Sequence, residues 1–322
     1  MGWWDFNNLV ASGWFMQFPA GTVDYAAGAR MTVDPSTGLL RSDQLPALFG
    51  AAPSTGWPPT PSTSPPSYDL AHDRWLPAPR AAVSPDGNRY AYADYPHDAG
   101  VDPTVTWIHV VDVATAKDQV VAKFATYHAI VYFSAAGIYM LRGPYRRANL
   151  YIGTADIAVP DGLVLMDPTT GGSRTIIAGS RRWSFFSPTS AWAAEFQSPD
   201  NSPAPLLGGV QTANRIIRLD LATGTASVWS NHLGTFVELI GIGAGDQPVV
   251  LLGEPSGIFM DIGSASIPIF TSTRSWIVFD SVLADNHGTW LANNDLSLYN
   301  AGSPLRQVTH RNGAGWIVGA CS

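Results

Sequence analysis

Cationic side chains recur along this chain, and several of them stand beside an aromatic residue. Arginine presents a planar guanidinium that holds a carboxylate or a phosphate through two parallel hydrogen bonds. A neighbouring tryptophan ring adds a flat surface on which a sugar or an apolar side chain stacks. In a chain whose net charge is −7, this set predicts a local positive site for an acidic ligand. Its members are Arg80, Tyr127, His128, Arg181, Arg182, Trp183, His232, Arg274, Trp276, Arg311 and Trp316.

A short phrase repeats along the same stretch: apolar residues, one Asp, a few small residues, and then an alternating polar and apolar run. The copies are centred on Asp69, Asp112, Asp167, Asp220, Asp261 and Asn300. Successive copies lie 43, 55, 53, 41 and 39 residues apart. A period of roughly 40 to 50 residues, built from short strands, predicts a β-propeller.

Five repeats divide into four short strands each, and the first repeat is expected to begin with an inner strand over residues 80–84. Strands remain at both ends of the chain, at residues 13–18, 68–76 and 315–320. Together they would complete a sixth blade. We therefore expect one all-β domain over residues 1–322, a six-bladed β-propeller in which N- and C-terminal strands share a blade and close the ring.

Long connections are expected on one face of the array, and tight turns on the other. The long connections cover residues 19–67, 94–106, 142–161 and 197–213. Residues 50–67 are rich in Pro, Ser and Thr, which predicts a stiff or irregular insertion; a linker that separates an N-terminal piece is the alternative. Insertions confined to one face of a repeat array favour that face as the binding face.

One repeat carries a recognisable signature. Residues 84–92 read Ser-Pro-Asp-Gly-Asn-Arg-Tyr-Ala-Tyr, and residues 111–115 read Val-Asp-Val-Ala-Thr. Together they resemble the WD40-like repeat of TolB-like propellers. The third repeat keeps Ser187-Pro188 without the Asp-Gly pair. The resemblance implies a six-bladed propeller with a binding role, often in the cell envelope, and it implies no catalytic residue because the repeated motif is structural.

Charge and hydropathy exclude several classes of protein. Lys117 and Lys123 are the only lysines, so the basic stripe of a nucleic-acid-binding protein is absent from the sequence. No apolar run approaches the ~20 residues of a membrane span. Cys321 is the single cysteine, which excludes an intramolecular disulfide. We expect an extracytoplasmic protein whose export segment lies outside this chain, with a cytoplasmic location as the alternative.

The repeated Asp residues are not expected to bind a metal, because a ring of equivalent turns spreads them apart. Capping of backbone N–H groups in each turn is the favoured interpretation. Tetrahedral zinc needs a compact set of Cys and His ligands, and the seven His are scattered along the chain. No cofactor is expected, although calcium in the loop of residues 94–102 or 156–161 is an alternative.

These observations predict a non-catalytic binding or scaffolding propeller. Its long-loop face would recognise a protein or peptide first, and an acidic or carbohydrate ligand second. The Gly-x-Ser-x-Gly nucleophile elbow is missing from the sequence. The competing hypothesis is a calcium-dependent propeller hydrolase or lactonase with its site in the central channel, although Glu195, Glu238 and Glu254 are the only glutamates. A third hypothesis is a structural domain of an envelope assembly with contacts on its flanks.

Overall fold

The structure is a computed structural model of the chain. It describes backbone and side chains over residues 78–96, 104–144, 160–198, 212–271, 282–285, 287–292 and 296–307, together with Leu76 and the backbone of the further strands named below. Over these residues the protein is all-β, apart from one 3-10 helix, Arg80–Ala82. No helix among the described residues is long and apolar enough to cross a membrane.

Strands from both ends of the chain share one sheet. Its N-terminal strands are β1 (Gly2–Asp5), β2 (Gly13–Gln17), β3 (Thr22–Tyr25), β4 (Ala29–Val33) and β5 (Leu40–Gln44). The last strand of the chain, Gly315–Gly319, pairs antiparallel with β1. The prediction of an uninterrupted loop over residues 19–67 is wrong over β3 to β5. The sequence of β3, Thr-Val-Asp-Tyr, alternates polar and apolar residues, which is the pattern of a strand.

The segment before the first repeat forms a hairpin of its own. β6 (Ser67–Asp69) pairs with β7 (Arg74–Leu76) in a separate two-stranded sheet. The prediction that residues 68–76 add strands to the sheet of the chain ends is therefore wrong. Only four residues separate the two strands, so the chain turns back locally and the strands pair with each other.

Five further sheets of described strands follow the order of the chain. Sheet I contains β8 (Arg89–Asp94), β9 (Thr106–Asp112) and β10 (Asp118–Phe124). Sheet II contains β11 (His128–Ser134), β12 (Gly137–Arg142), β13 (Gly162–Met166) and β14 (Ser173–Ala178). Sheet III contains β15 (Phe185–Phe186), β16 (Ser190–Glu195) and, after a small hairpin of β17 (Leu206–Leu207) and β18 (Val210–Gln211), β19 (Arg215–Asp220) and β20 (Thr225–Asn231).

Sheets IV and V repeat the same four-stranded order. Sheet IV contains β21 (Val237–Gly243), β22 (Gln247–Leu252), β23 (Gly257–Asp261) and β24 (Ser266–Thr271). Sheet V contains β25 (Ser281–Asp285), β26 (Gly288–Ala292), β27 (Asp295–Tyr299) and β28 (Arg306–His310), and the chain ends with β29 (Gly315–Gly319). These sheets are consistent with the blades of a β-propeller.

Sheet I lacks the inner strand predicted over residues 80–84. The N–H of Ala82 donates to the carbonyl oxygen of Pro79 (2.8 Å), and the N–H of Val83 donates to that of Arg80 (3.2 Å). These i to i+3 bonds form the 3-10 helix, which follows Pro79 and its fixed φ of −64°. The first strand is thus reduced to a single bridge between Val83 and Tyr90.

The chain divides into two compact units. Unit A comprises residues 1–52, 192–219 and 226–322, and unit B comprises residues 53–191 and 220–225. In unit B, an apolar core lies between sheets I and II, where Ile108 is clustered with Phe133 and Ile138. In unit A, a similar core lies between sheets IV and V, where Ile258 is clustered with Leu291. Central strands β13, β23 and β26 are buried along their whole length.

The repeated Asp caps a turn, as the sequence predicts. The Oδ1 atoms of Asp112, Asp167 and Asp220 each accept a hydrogen bond from a backbone N–H two or three residues later, at 2.8, 2.7 and 2.8 Å. The turn in sheet II ends at Gly171, which has φ 71°. A Cβ added to Gly171 would lie 2.1 Å from the carbonyl oxygen of Val121 in sheet I. The prediction of turn capping is confirmed, and in sheet II the turn also packs against the preceding sheet.

Candidate functional site

Some residues of the predicted cationic and aromatic set are exposed to solvent, and others are buried. Arg80 is exposed at the start of the 3-10 helix. Tyr127 is buried, with 4% of its surface exposed, and its ring stands edge-on to that of Tyr95 at a centroid distance of 5.1 Å. Arg80 therefore reaches solvent, whereas Tyr127 belongs to the packing of unit B.

His128 is also an interior residue. Its ring stacks on Phe124 at 4.1 Å, and its Nδ1 lies 3.0 Å from the carbonyl oxygen of Thr126. Since a carbonyl can only accept, Nδ1 carries the proton of this bond. Burial lowers the pKa of His128, which favours a neutral imidazole over a cation. We therefore assign His128 a packing role at the start of β11.

Arg181, Arg182 and Trp183 lie just before the first strand of sheet III. The Cζ atom of Arg181 lies 5.4 Å from the centroid of the Trp183 ring, within the range of a cation–π contact. Trp183 is 2% exposed, whereas Arg182 is exposed. A ligand approaching this surface would meet the two arginines, and the tryptophan ring supports Arg181 from the interior.

His232 meets Ser230 and Asp261, which are the residue types of a nucleophilic triad. Nε2 of His232 lies 3.1 Å from Oγ of Ser230 and 2.8 Å from Oδ2 of Asp261, and the Ser230 hydroxyl donates to the same carboxylate oxygen. In a catalytic triad the carboxylate and the nucleophile bind opposite nitrogens of the imidazole. Here both partners share Nε2, so this trio cannot pass a proton from the serine through the ring to the carboxylate.

The Asp261 carboxylate is 1% exposed and is held in its charged form. Burial by itself would raise the pKa of Asp261. Hydrogen bonds from His232, Ser230 and the N–H of Gly263 outweigh burial and hold that pKa below the ordinary value of 3.8. The trio is thus a buried structural network.

The structure does not describe the side chains of four of the predicted site residues. Arg274, Trp276 and Arg311 lie outside the described residues, and Trp316 is described only by its backbone pairing with Trp4. Residues 97–103 and 151–159, which contain most of the two predicted calcium loops, also lie outside. Over the described part of the chain, no three Asp, Glu, His or Cys side chains come together as a group of metal ligands.

Arginines on the second and third strands of their sheets are paired with carboxylates. Arg215 is ion-paired with Glu195, Nε of Arg142 donates to Asp161 at 2.5 Å, and Arg218 lies 3.3 Å from Asp246. Among the described residues, no carboxylate lies within ion-pair distance of Arg80 or Arg182. The structure thus separates these three paired arginines from Arg80 and Arg182, which are exposed outside the strands.

An aromatic cluster that sequence reasoning missed lies on the first strands of two neighbouring sheets. The rings of Tyr132 on β11 and Phe186 on β15 are stacked, with centroids 5.6 Å apart and planes 17° apart. Tyr139 on β12 lies behind them, 6.4 Å from Tyr132 and 5.9 Å from Phe186. Both Tyr132 and Phe186 are half-buried, whereas Tyr139 is 3% exposed. The signal was present in the repeat, since the first strands of both sheets carry adjacent aromatic residues.

Comparison with known proteins gives similarity at the level of structure. No family model matches the chain, and no curated protein matches it. TolB from Acinetobacter baumannii is 14% identical, with a TM-score of 0.42, over 70% of this chain and 53% of its own length. The Pyrococcus horikoshii acylaminoacyl peptidase is 10% identical, with a TM-score of 0.46, over 93% of this chain and 45% of its own.

A prolyl endopeptidase structure is 13% identical, with a TM-score of 0.46, and the match covers 72% of this chain and 35% of the endopeptidase. The chain therefore spans about half of the TolB structure and less than half of each peptidase structure. At these identities the likeness concerns the fold alone, which for these relatives is a β-propeller domain.

Proposed function

We propose that this chain is a six-bladed β-propeller, closed by the strands of its two ends, and that it is a non-catalytic module that binds an acidic peptide segment of a partner protein. The observation that carries the proposal is the contrast between two groups of arginines. Arg142, Arg215 and Arg218 are neutralised by carboxylates within the fold. Arg80 is exposed in the 3-10 helix that replaces the first strand of sheet I, and Arg182 is exposed just before the first strand of sheet III. In a propeller the loops before the first strands open toward the channel mouth.

The polar groups of the described residues favour binding over hydrolysis. The Ser230, His232 and Asp261 trio has the wrong geometry for a nucleophile. Glu195, a candidate acid in the hydrolase hypothesis, is ion-paired with Arg215. The repeated Asp residues accept turn N–H bonds. These groups are engaged in folding contacts and are not arranged as an acid and base around an open site.

Electrostatics favours an acidic ligand in particular. The chain as a whole is acidic, so the exposed guanidinium groups of Arg80 and Arg182 would attract anionic groups locally and are not part of a general cationic surface. Interactions of this exposed kind steer association and weaken as salt screens them. The location outside the cytoplasm stays a prediction from the sequence.

Isothermal titration with a short acidic peptide tests the proposal. The probe is acetyl-Glu-Glu-Ala-Glu-Glu-amide, and the test variant is the double substitution Arg80→Gln and Arg182→Gln. We expect the affinity to fall about tenfold in the double variant, and to fall in the wild type as salt is raised. The matched control is Arg174→Gln, an exposed arginine on the fourth strand of sheet II, and it should bind as the wild type does.

Two outcomes would overturn the proposal. One is that the wild type does not bind the acidic peptide, or that the double variant binds it as tightly as the wild type does. The other is turnover of lactone or ester substrates that requires calcium, which would support the hydrolase hypothesis instead.

A further inference from the structure

The stacked pair of Tyr132 and Phe186 is placed where a ligand can reach it. The second and third strands of sheet II are almost entirely buried. β11, by contrast, is half-buried over four consecutive residues that include Tyr132. In the propeller proposed above, the first strand of each blade borders the channel, so the exposed side of β11 would be the channel side.

A bulge orients Tyr132 within β11. The pairing of β11 with β12 shifts register between Ile130 and Tyr132, after which Tyr132 lies directly opposite Tyr139. Such bulges re-aim a side chain and are common beside functional sites. Sheet IV has the same register shift, and the position that corresponds to Tyr132 is Gly241.

The comparison with Gly241 shows that neighbouring first strands can pack together without an aromatic side chain at this position. A Cβ added to Gly241 would lie 2.4 Å from Cβ of Val282 in sheet V. The first strands of sheets IV and V therefore approach each other without a side chain at that position. The first strands of sheets II and III instead hold two large rings, both partly open to solvent.

The positive charge of Arg80 near Tyr132 and Phe186 indicates which aromatic ligand would bind there. The 3-10 helix that begins with the exposed Arg80 packs against β11, which carries Tyr132. Burial raises the pKa of Tyr132, and the positive charge of Arg80 acts on the same hydroxyl in the opposite direction. Among the described residues, the Tyr132 hydroxyl has no hydrogen-bond partner, so it is available to donate to a ligand. A cation, an aromatic platform and a free hydroxyl donor together suit a ring that is flanked by carboxylates.

We infer that Tyr132 and Phe186 form a subsite for an aromatic side chain of the acidic peptide segment, with Arg80 binding a carboxylate beside it. This inference rests on the proposed function and adds the class of peptide: an aromatic residue between acidic ones. The ring would stack on the exposed edge of the pair, where aromatic contacts contribute beyond the burial of apolar area.

Two peptides that differ only at the central residue test the subsite. Acetyl-Glu-Glu-Phe-Glu-Glu-amide should bind the wild-type chain about tenfold more tightly than the peptide with alanine at the centre. In Tyr132→Leu and in Phe186→Leu the preference should fall to about twofold or less. Phe186→Leu, which keeps the Tyr132 hydroxyl, should bind the alanine peptide as the wild type does. Tyr132→Phe keeps the ring and should keep most of the preference.

A control separates loss of the subsite from general loosening of sheet II. Phe133→Leu changes a neighbouring aromatic residue of the same strand that is 2% exposed, and it should retain the preference for the phenylalanine peptide. Thermal unfolding followed by circular dichroism reports whether each variant is folded.

The outcomes distinguish this inference from the proposed function. If both peptides bind the wild type equally, or if the preference survives in Tyr132→Leu and Phe186→Leu, the subsite is wrong while acidic-peptide binding stands. If neither peptide binds, both are wrong. If Phe133→Leu abolishes the preference as fully as Tyr132→Leu does, the effect belongs to packing and the subsite is wrong.

Discussion

Nε2 of His232 and Oδ2 of Asp261 lie 2.8 Å apart although the residues are 29 positions apart in the chain. His232 follows the last strand of sheet III, and Asp261 ends the third strand of sheet IV. Within unit A, the pair therefore links the end of β20 to the end of β23 through a buried carboxylate. Asp261 is one of the repeated Asp residues, and its second oxygen caps its turn through the N–H of Gly263 at 2.8 Å.

Replacing Asp261 should reveal this link through pH. Since the folded pKa of Asp261 lies below its unfolded value of 3.8, the carboxylate stabilises the protein above that value, and the stabilisation is lost as the pH falls through the folded pKa. Asp261→Asn should lower the free energy of unfolding by about 2 kcal/mol at pH 7. Urea unfolding at pH 7 and pH 3 measures the difference, which should shrink at pH 3.

The control for that measurement is Ser230→Ala, which removes one hydrogen-bond donor and no charge. It should cost about 1 kcal/mol and weaken the pH dependence only in part, because the hydrogen bonds from His232 and the N–H of Gly263 to Asp261 remain. A difference between Asp261→Asn and the wild type that stays constant from pH 7 to pH 3 would contradict the charged state assigned to Asp261.

Two turn glycines provide a matched test of contact between sheets. Gly171 and Gly302 both have positive φ, 71° and 80°, but only Gly171 faces a backbone carbonyl, while no described atom lies within 4 Å of a Cβ at Gly302. Gly302→Ala should cost about 1 kcal/mol for the left-handed conformation alone. Gly171→Ala should cost about 3 kcal/mol because the carbonyl of Val121 must also move. Equal costs in thermal or urea unfolding would argue against the contact.

Asp246 combines an unusual backbone conformation with two hydrogen bonds. Its φ is 58°, Oδ1 accepts from Nε1 of Trp192 at 3.2 Å, and Oδ2 accepts from Arg218 at 3.3 Å. Asn tolerates the left-handed region and keeps an acceptor, so Asp246→Asn should cost about 1 kcal/mol. Asp246→Ala loses both acceptors and should cost about 3 kcal/mol. If the two variants unfold at the same urea concentration, the side-chain bonds contribute nothing measurable.

Asp112→Ala tests the turn against a metal site. The carboxylate accepts the N–H of Thr115 at 2.8 Å and its hydroxyl at 2.6 Å, so its loss should cost about 1 kcal/mol, as the loss of a helix cap does. Elemental analysis of the purified wild type and variant should show the same metal content. An ion present in the wild type and absent in the variant would replace the capping interpretation with a metal site.

Removal of residues 315–322 tests the sheet that joins the chain ends. β29 pairs with β1 along the whole of that strand, so its loss leaves β1 with an unpaired edge. We expect a cost of more than about 3 kcal/mol from the lost backbone hydrogen bonds of the four paired residues of β1. Removal of residues 320–322 alone is the control and should leave urea unfolding unchanged. A shortened chain as stable as the full one would show that the pairing is dispensable.

Local patterns account for what could be predicted from the sequence. The capped turns at Asp112, Asp167 and Asp220 were predictable because the carboxylate and the N–H groups it binds are two or three residues apart. The strands were predictable where apolar residues alternate or form short runs between turn residues. The 3-10 helix at Arg80–Ala82 was not predictable, since three residues do not distinguish a short helix from a strand.

The amino-acid sequence by itself determined the repeat, the strands and the turn chemistry, because these depend on neighbours in the chain. Only the tertiary structure decided which side chains meet and which are covered. Trp192 reaches Asp246 across 54 positions, Tyr132 stacks on Phe186, and Trp183 and His128 are buried rather than exposed. These contacts depend on how separate sheets stack, and stacking is set by the summed packing of many apolar residues rather than by any local pattern.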